Sequence, residues 1–304
     1  MPDNFPHSRS GSGALSPPRV LLLLAVTMLF FFLWGNFLSA LVLKFNGIEP
    51  ELLMQGEEEQ VPRTLLRWVV LLSHGFGFLV PALFTAWLLA RRGLPAWLHL
   101  HRRPGLTQAL SAVAFVVVVF PIAQWALWLN QQVPLPAWAD ALEQNTTGLL
   151  SGLLRMESPV ELLFNLLIIA ALPALGEEFV FRGILQPQLE RWTRRPLLAL
   201  WLTAFLFSFF HFQFEGFLAR LVLGAALGYL FLWTRNLWLP VLAHFANNGL
   251  QVLAAYALQD QLETFDPRQE VEVSYPLLAV CVVLVIALGR RLSEKAELPS
   301  PPDP

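Results

Sequence analysis

Residues 160–185 read VELLFNLLIIAALPALGEEFVFRGIL. A helix needs about 20 apolar residues to cross a hydrocarbon layer of ~30 Å, and this run has that length while carrying Glu177, Glu178 and Arg182 within it. An ionisable side chain in lipid costs about 3 kcal/mol unless it is paired or faces a wet cavity, so charges placed there mark a functional site by default. The stretch therefore reads as a membrane-spanning helix built around buried charge.

Further apolar runs lie near 20–43, 66–90, 107–129, 196–213, 217–234, 237–258 and 274–289. Backbone amides cannot stay unpaired in lipid, and these runs lack the alternation of a barrel strand, so they are helices. The expected fold is an all-α, polytopic transmembrane helical bundle of about eight helices. Composition agrees: 56% hydrophobic and 14% charged residues, with a mean hydropathy of +0.55, leave too little polar surface for a soluble domain. A formal net charge of -2 argues against a nucleic-acid partner, which needs clustered Lys and Arg. With Cys281 as the one cysteine, there is neither a disulfide framework nor a Cys-based zinc site.

Charge placement orients the bundle. With both termini cytoplasmic and eight crossings, most basic residues fall on the inner side, among them Arg91, Arg92, Arg102, Arg103, Arg191, Arg194, Arg195, Arg290 and Arg291. Trp34, Trp68, Trp87, Trp128, Trp192, Trp233 and Trp238 sit near span ends as interfacial anchors. Short loops and the lack of an organelle address predict the bacterial cytoplasmic (inner) membrane. Residues 1–18, rich in Ser, Gly and Pro, and 293–304, rich in Glu and Pro, are expected to be disordered tails. Between them the chain divides into about three N-terminal transmembrane helices (19–156), a helical core that holds the intramembrane charges (157–258), and a last loop and helix (259–292).

Within the core, the fourth helix carries Glu177, Glu178 and Arg182, the fifth ends in Phe207-Ser208-Phe209-Phe210-His211, and the seventh holds His244 and Asn248. Residues four apart share a helix face, so Glu178 and Arg182 can pair, which offsets the cost of burying both. Glu177, about 100° round the helix, points elsewhere and is left free to take a proton. His244 and Asn248, also four apart, face one spot, and His211 must arrive from a neighbouring helix to complete the cluster. A carboxylate that takes a proton from water, beside an imidazole, makes a nucleophile for an amide carbonyl, and imidazole and amide donors suit the oxyanion that develops. Glu177, His211 and His244 equally suit a zinc ion, although the H-E-x-x-H spacing is absent; no cofactor is certain, and a divalent metal is the open alternative. Ser208, three before His211, is a weak nucleophile candidate. The polar stretch of Gln186, Pro187 and Gln188 must line a cavity or be covered by protein. His74, beside Gly75 and Gly77, reads as helix packing, and Gly224 and Gly228 as a close helix approach.

These residues resemble the CAAX-protease and bacteriocin-processing family (CPBP, also ABI), which includes the type II CAAX prenyl endopeptidase. That family's pattern is E-E-x-x-x-R, then F-x-x-x-H, then H-x-x-x-N or H-x-x-x-D, each on its own membrane helix. Glu177-Glu178 with Arg182, Phe207 with His211, and His244 with Asn248 match it in order, and the resemblance covers roughly residues 157 to 255. It implies an intramembrane peptidase acting on a membrane-associated protein or peptide, with Glu177 and His211 activating water, His244 and Asn248 supporting the oxyanion, and Glu178 and Arg182 shaping the site. The family is called metalloprotease, yet a metal-free glutamate mechanism is also argued for it. The alternatives are a non-catalytic membrane immunity or partner protein on the same fold and a proton-coupled transporter, the latter disfavoured by the lack of an internal repeat.

Overall fold

The computed structural model describes residues 15–54, 60–90, 93–136, 138–139, 150, 152–258 and 274–297. Among them the long elements are all helices: α1 (Pro17–Phe45), α2 (Arg63–Ala90), α3 (Leu106–Gln131), α4 (Pro159–Thr193), α5 (Pro196–Phe209), α6 (Phe217–Thr234), α7 (Trp238–Ala257) and α8 (Tyr275–Glu297). They correspond one to one with the eight apolar runs, so the all-α polytopic reading holds. Six of them, α1 to α4, α6 and α8, are long and apolar enough to cross a membrane. Helix α5 has only 14 residues, about 21 Å at ~1.5 Å per residue, which is short of a full hydrocarbon layer. The chain is an integral membrane protein.

The helix ends follow local chemistry. Pro17 and Pro18 open α1, where a missing N–H costs nothing, so the first helix begins inside the stretch 1–18 that was expected to be a tail. At the other end α8 runs to Glu297, which corrects the expected tail from 293: Ser293-Glu294-Lys295-Ala296-Glu297 contains no breaker, and Pro299 lies just beyond. The outer residues of both tails fall outside the described residues.

Three segments widen to i→i+5 hydrogen bonding: Gly75–Leu79 in α2, and Leu166–Ala171 and Phe179–Leu185 in α4. Each ends two residues before a proline, at Pro81, Pro173 and Pro187 respectively. A proline offers no N–H to the carbonyl four residues earlier and its ring collides with that carbonyl, so the preceding turn opens. The two adjacent carboxylates therefore sit on the regular stretch Leu172–Glu178 between two widened segments. Such widened turns recur at functional sites.

Helix α4 is the axis of the bundle. Its Phe179, Phe181 and Ile184 pack with Val20 and Leu24 of α1, Ala82 and Ala86 of α2, Phe207 of α5, Phe231 of α6 and Val241 of α7. A second core joins Phe115, Val116 and Val119 of α3 to Leu227 and Leu230 of α6, Leu239 and Ala243 of α7, and Leu292 of α8. Outward faces carry exposed apolar side chains such as Leu22, Phe30, Leu33, Leu163, Leu167, Trp201 and Phe205, as lipid contact requires. On the α2 side, Arg67 donates to Asn165 Oδ1 and to Glu161 Oε1, both at 3.0 Å. Residue numbers rise together across this helix pair, from Arg67 with Glu161 to His74 with Glu177, so α2 and α4 run parallel.

Candidate active site

Helices α5 and α6 meet closely at Gly224, where a Cβ would lie 3.0 Å from the Phe207 ring and 3.4 Å from Ala204 Cα. This is the close approach expected at Gly224 and Gly228, and it has a polar consequence. The bare glycine carbonyls accept from α4: Arg182 donates one terminal nitrogen to Gly224 O at 2.6 Å, and Gln186 donates to Gly228 O at 3.2 Å. The polar stretch at the end of α4 is thus covered by protein, with Gln186 and Gln188 buried.

Arg182, fully buried, gives its other terminal nitrogen to Glu178 Oε1 at 2.7 Å, as the i,i+4 spacing predicts. Its guanidinium also lies over the Phe207 ring, 4.7 Å from the centroid, a favourable place for a desolvated cation. Glu178 Oε1 accepts a second hydrogen bond, from His244 Nδ1 at 2.8 Å. A carboxylate paired with Arg182 only accepts, so Nδ1 of His244 carries the hydrogen and Nε2 of the neutral ring presents a lone pair. His211 reaches the same state by another route: its Nδ1 donates to Phe207 O at 2.7 Å, leaving Nε2 bare.

Both bare nitrogens face Glu177. His211 Nε2 is 3.8 Å and His244 Nε2 3.9 Å from Glu177 Oε2. That oxygen is buried and accepts no hydrogen bond from the protein. Three acceptor atoms thus converge with no protein donor among them, an arrangement complementary to something that brings hydrogen, such as a water molecule. Phe207 is the wall of this site: its ring lies 4.9 Å from that of His211 and 5.9 Å from that of His244.

Zinc on Glu177, His211 and His244, the open alternative, meets a geometric difficulty. The 3.8 and 3.9 Å separations exceed the roughly 3.3 Å between ligand atoms on tetrahedral zinc with bonds of about 2.0–2.1 Å. Among the described residues no group of three His, Cys, Asp or Glu side chains is spaced to hold a metal ion.

The remaining candidates are placed differently from expectation. His211 lies in the turn after α5, which ends at Phe209, rather than on the membrane helix itself. Asn248 does not share a partner with His244: its Nδ2 donates to Ile169 O at 3.1 Å, and its Oδ1 accepts from Asn247. Ile169 is four residues before Pro173, so its carbonyl lacks the usual helical donor and takes the Asn248 amide instead. The Ser208 hydroxyl donates to Phe217 O at 2.7 Å, a tie between α5 and α6. His74, read as packing, instead places Nε2 3.2 Å from Glu177 Oε1. An imidazole inside an apolar run was the signal for it in the sequence, and no local spacing linked it to Glu177.

Fold and site together define a polytopic helical membrane protein with a buried cluster of carboxylates, imidazoles and a guanidinium. Residues 159–250, which hold all seven motif residues, match the model of the family described as type II CAAX prenyl endopeptidase Rce1-like, and through this segment the chain is related to the CPBP-family intramembrane proteases. The uncharacterized protein YpbD of Bacillus subtilis (strain 168) is 29% identical over 85 residues, 27% of this chain. The match spans 40% of that relative's length. No solved structure gives a significant match.

Proposed function

We propose that this chain is an intramembrane endopeptidase of the CAAX-protease type that hydrolyses a peptide bond in a membrane-associated protein or peptide. The observation that carries the reading is the convergence of His211 Nε2 and His244 Nε2 on the unpartnered Glu177 Oε2. A water held among these three acceptors donates one hydrogen to Glu177 and the other to an imidazole. Glu177 Oε2 removes the proton as the water oxygen bonds to the scissile carbonyl carbon, with His211 orienting the water. The oxyanion then forms next to His244. His244, held at Nδ1 by Glu178, donates from Nε2 to the oxyanion once that nitrogen has taken up a proton from solvent, and Asn248 keeps a second N–H for the same purpose. The C–N bond breaks as Glu177 returns its proton to the leaving amine. Glu178 and Arg182 act by fixing His244 and Phe207. Water alone suffices for these steps, and the 3.8 and 3.9 Å spacings among Glu177, His211 and His244 favour that form.

The match of residues 159–250 to the CAAX prenyl endopeptidase family supports a peptidase, the placement of basic residues supports having both termini inside, and the short loops support a bacterial cytoplasmic membrane. The test is cleavage of internally quenched peptides, farnesylated and unmodified, by the purified protein in detergent with and without a chelator. Glu177→Gln is expected to lower kcat by about 10²–10⁴-fold, the range of general-base catalysis. Absence of cleavage by the wild-type protein across both peptide sets, or equal cleavage by Glu177→Gln, overturns the proposal. Loss of activity with chelator and recovery with zinc replaces the water-only step with a metal-assisted one.

A further inference from the structure

Glu177 is bounded by three imidazoles, and the mechanism above uses only two. His74 lies outside the matched segment, on α2, with Nε2 buried, 3.2 Å from Glu177 Oε1 and not yet aligned into a hydrogen bond with any protein group. Its ring stacks on Phe78, with centroids 4.8 Å apart and planes 27° apart. The backbone places it there. At Gly176 the two helices come so close that a Cβ would sit 3.0 Å from both Leu79 N and Phe78 Cβ. Two turns earlier Arg67 fixes the axial register of α2 against Asn165 and Glu161.

The two oxygens of Glu177 therefore have different surroundings. Oε2 faces the bare nitrogens of His211 and His244, while Oε1 faces a ring whose nitrogen is not committed elsewhere. We propose that His74 is a positioning residue for Glu177: its Nε2–H donates to Oε1 and fixes the carboxylate plane, so that Oε2 is the oxygen presented to water. The role rests on the reading of Glu177 as the general base. A buried carboxylate with no donor on either oxygen would rotate, and a displacement of the order of 1 Å in a reacting group costs about 10²-fold in rate.

The experiment uses the full chain in detergent and whichever quenched peptide the wild type cleaves, with His74→Ala, His74→Gln, Glu177→Gln and the Glu177→Gln/His74→Ala double variant. His74→Ala is expected to lower kcat by about 10–100-fold with KM changed by less than about threefold, the signature of an interaction made at the chemical step. His74→Gln, whose amide can still donate, is expected to recover most of that loss, and added imidazole to rescue His74→Ala, since the ring position is 21% exposed. The double variant is expected to match Glu177→Gln alone. Wild-type kcat in His74→Ala overturns the role, as does a loss that neither glutamine nor imidazole recovers and that comes with a lowered unfolding midpoint, which marks packing. If Glu177→Gln is inactive while His74→Ala is not, the His74 role alone fails. If Glu177→Gln cleaves like wild type, or the wild type cleaves nothing, both readings fall.

Discussion

Glu178 Oε1 and Arg182 are joined at 2.7 Å with both side chains fully buried, and the same oxygen takes the Nδ1–H of His244. The carboxylate thus links the charge that makes its burial tolerable to the imidazole that faces Glu177. Removing one member leaves the other charge unpaired in a medium that cannot solvate it.

Glu178→Leu is expected to destabilise the protein by about 3–5 kcal/mol, read as a lowered unfolding midpoint in detergent. Glu178→Leu/Arg182→Leu is expected to lose less stability than Glu178→Leu alone, because no orphan charge remains. Additive losses in the two variants would show that the pair is not coupled.

The Asn248 amide compensates for Pro173 by binding the Ile169 carbonyl. Asn248→Ala is expected to cost about 1 kcal/mol, the worth of a hydrogen bond to a part-buried carbonyl. In a Pro173→Ala background, where an N–H four residues after Ile169 is restored, the same change is expected to cost measurably less. Equal costs in the two backgrounds would mean that the amide serves another purpose.

Gly224 lets Phe207 lie against α6 beneath Arg182. A Cβ there would meet the ring at 3.0 Å, so Gly224→Ala must move the wall that touches both His211 and His244. Overpacking of this kind costs about 1–3 kcal/mol. The expected result is a lowered unfolding midpoint together with a kcat loss that Phe207→Leu, which frees space, partly reverses in the double variant.

His99, in the connection between α2 and α3, has its pKa pushed down to about 4 by burial first and then by the Arg235 and His101 charges, against a smaller opposing effect of Glu190. Because the unfolded chain takes up the proton at about 6.5 and the folded one only near 4, the folded state is fully favoured above 6.5 and loses stability as pH falls from 6.5 to 4. His99 also has φ 57°, a left-handed conformation that asparagine tolerates. His99→Asn is therefore expected to flatten the fall in unfolding midpoint between those pH values relative to wild type. An unchanged slope would refute this assignment.

The chain's hydropathy and its fixed four-residue spacings already decided the helical class, the eight apolar elements and the Glu178–Arg182 pair, since each depends on geometry within one helix or on solvent preference alone. What tertiary structure decided is everything set between helices. The widened turns before Pro81, Pro173 and Pro187 alter the angle between successive side chains, so a uniform 3.6-residue period could not foresee that Asn248 turns to Ile169 while His244 turns to Glu178. Nor could it place His74 against Glu177, because the approach of α2 to α4 is fixed by Gly176 and Arg67 across a chain separation that no local pattern spans.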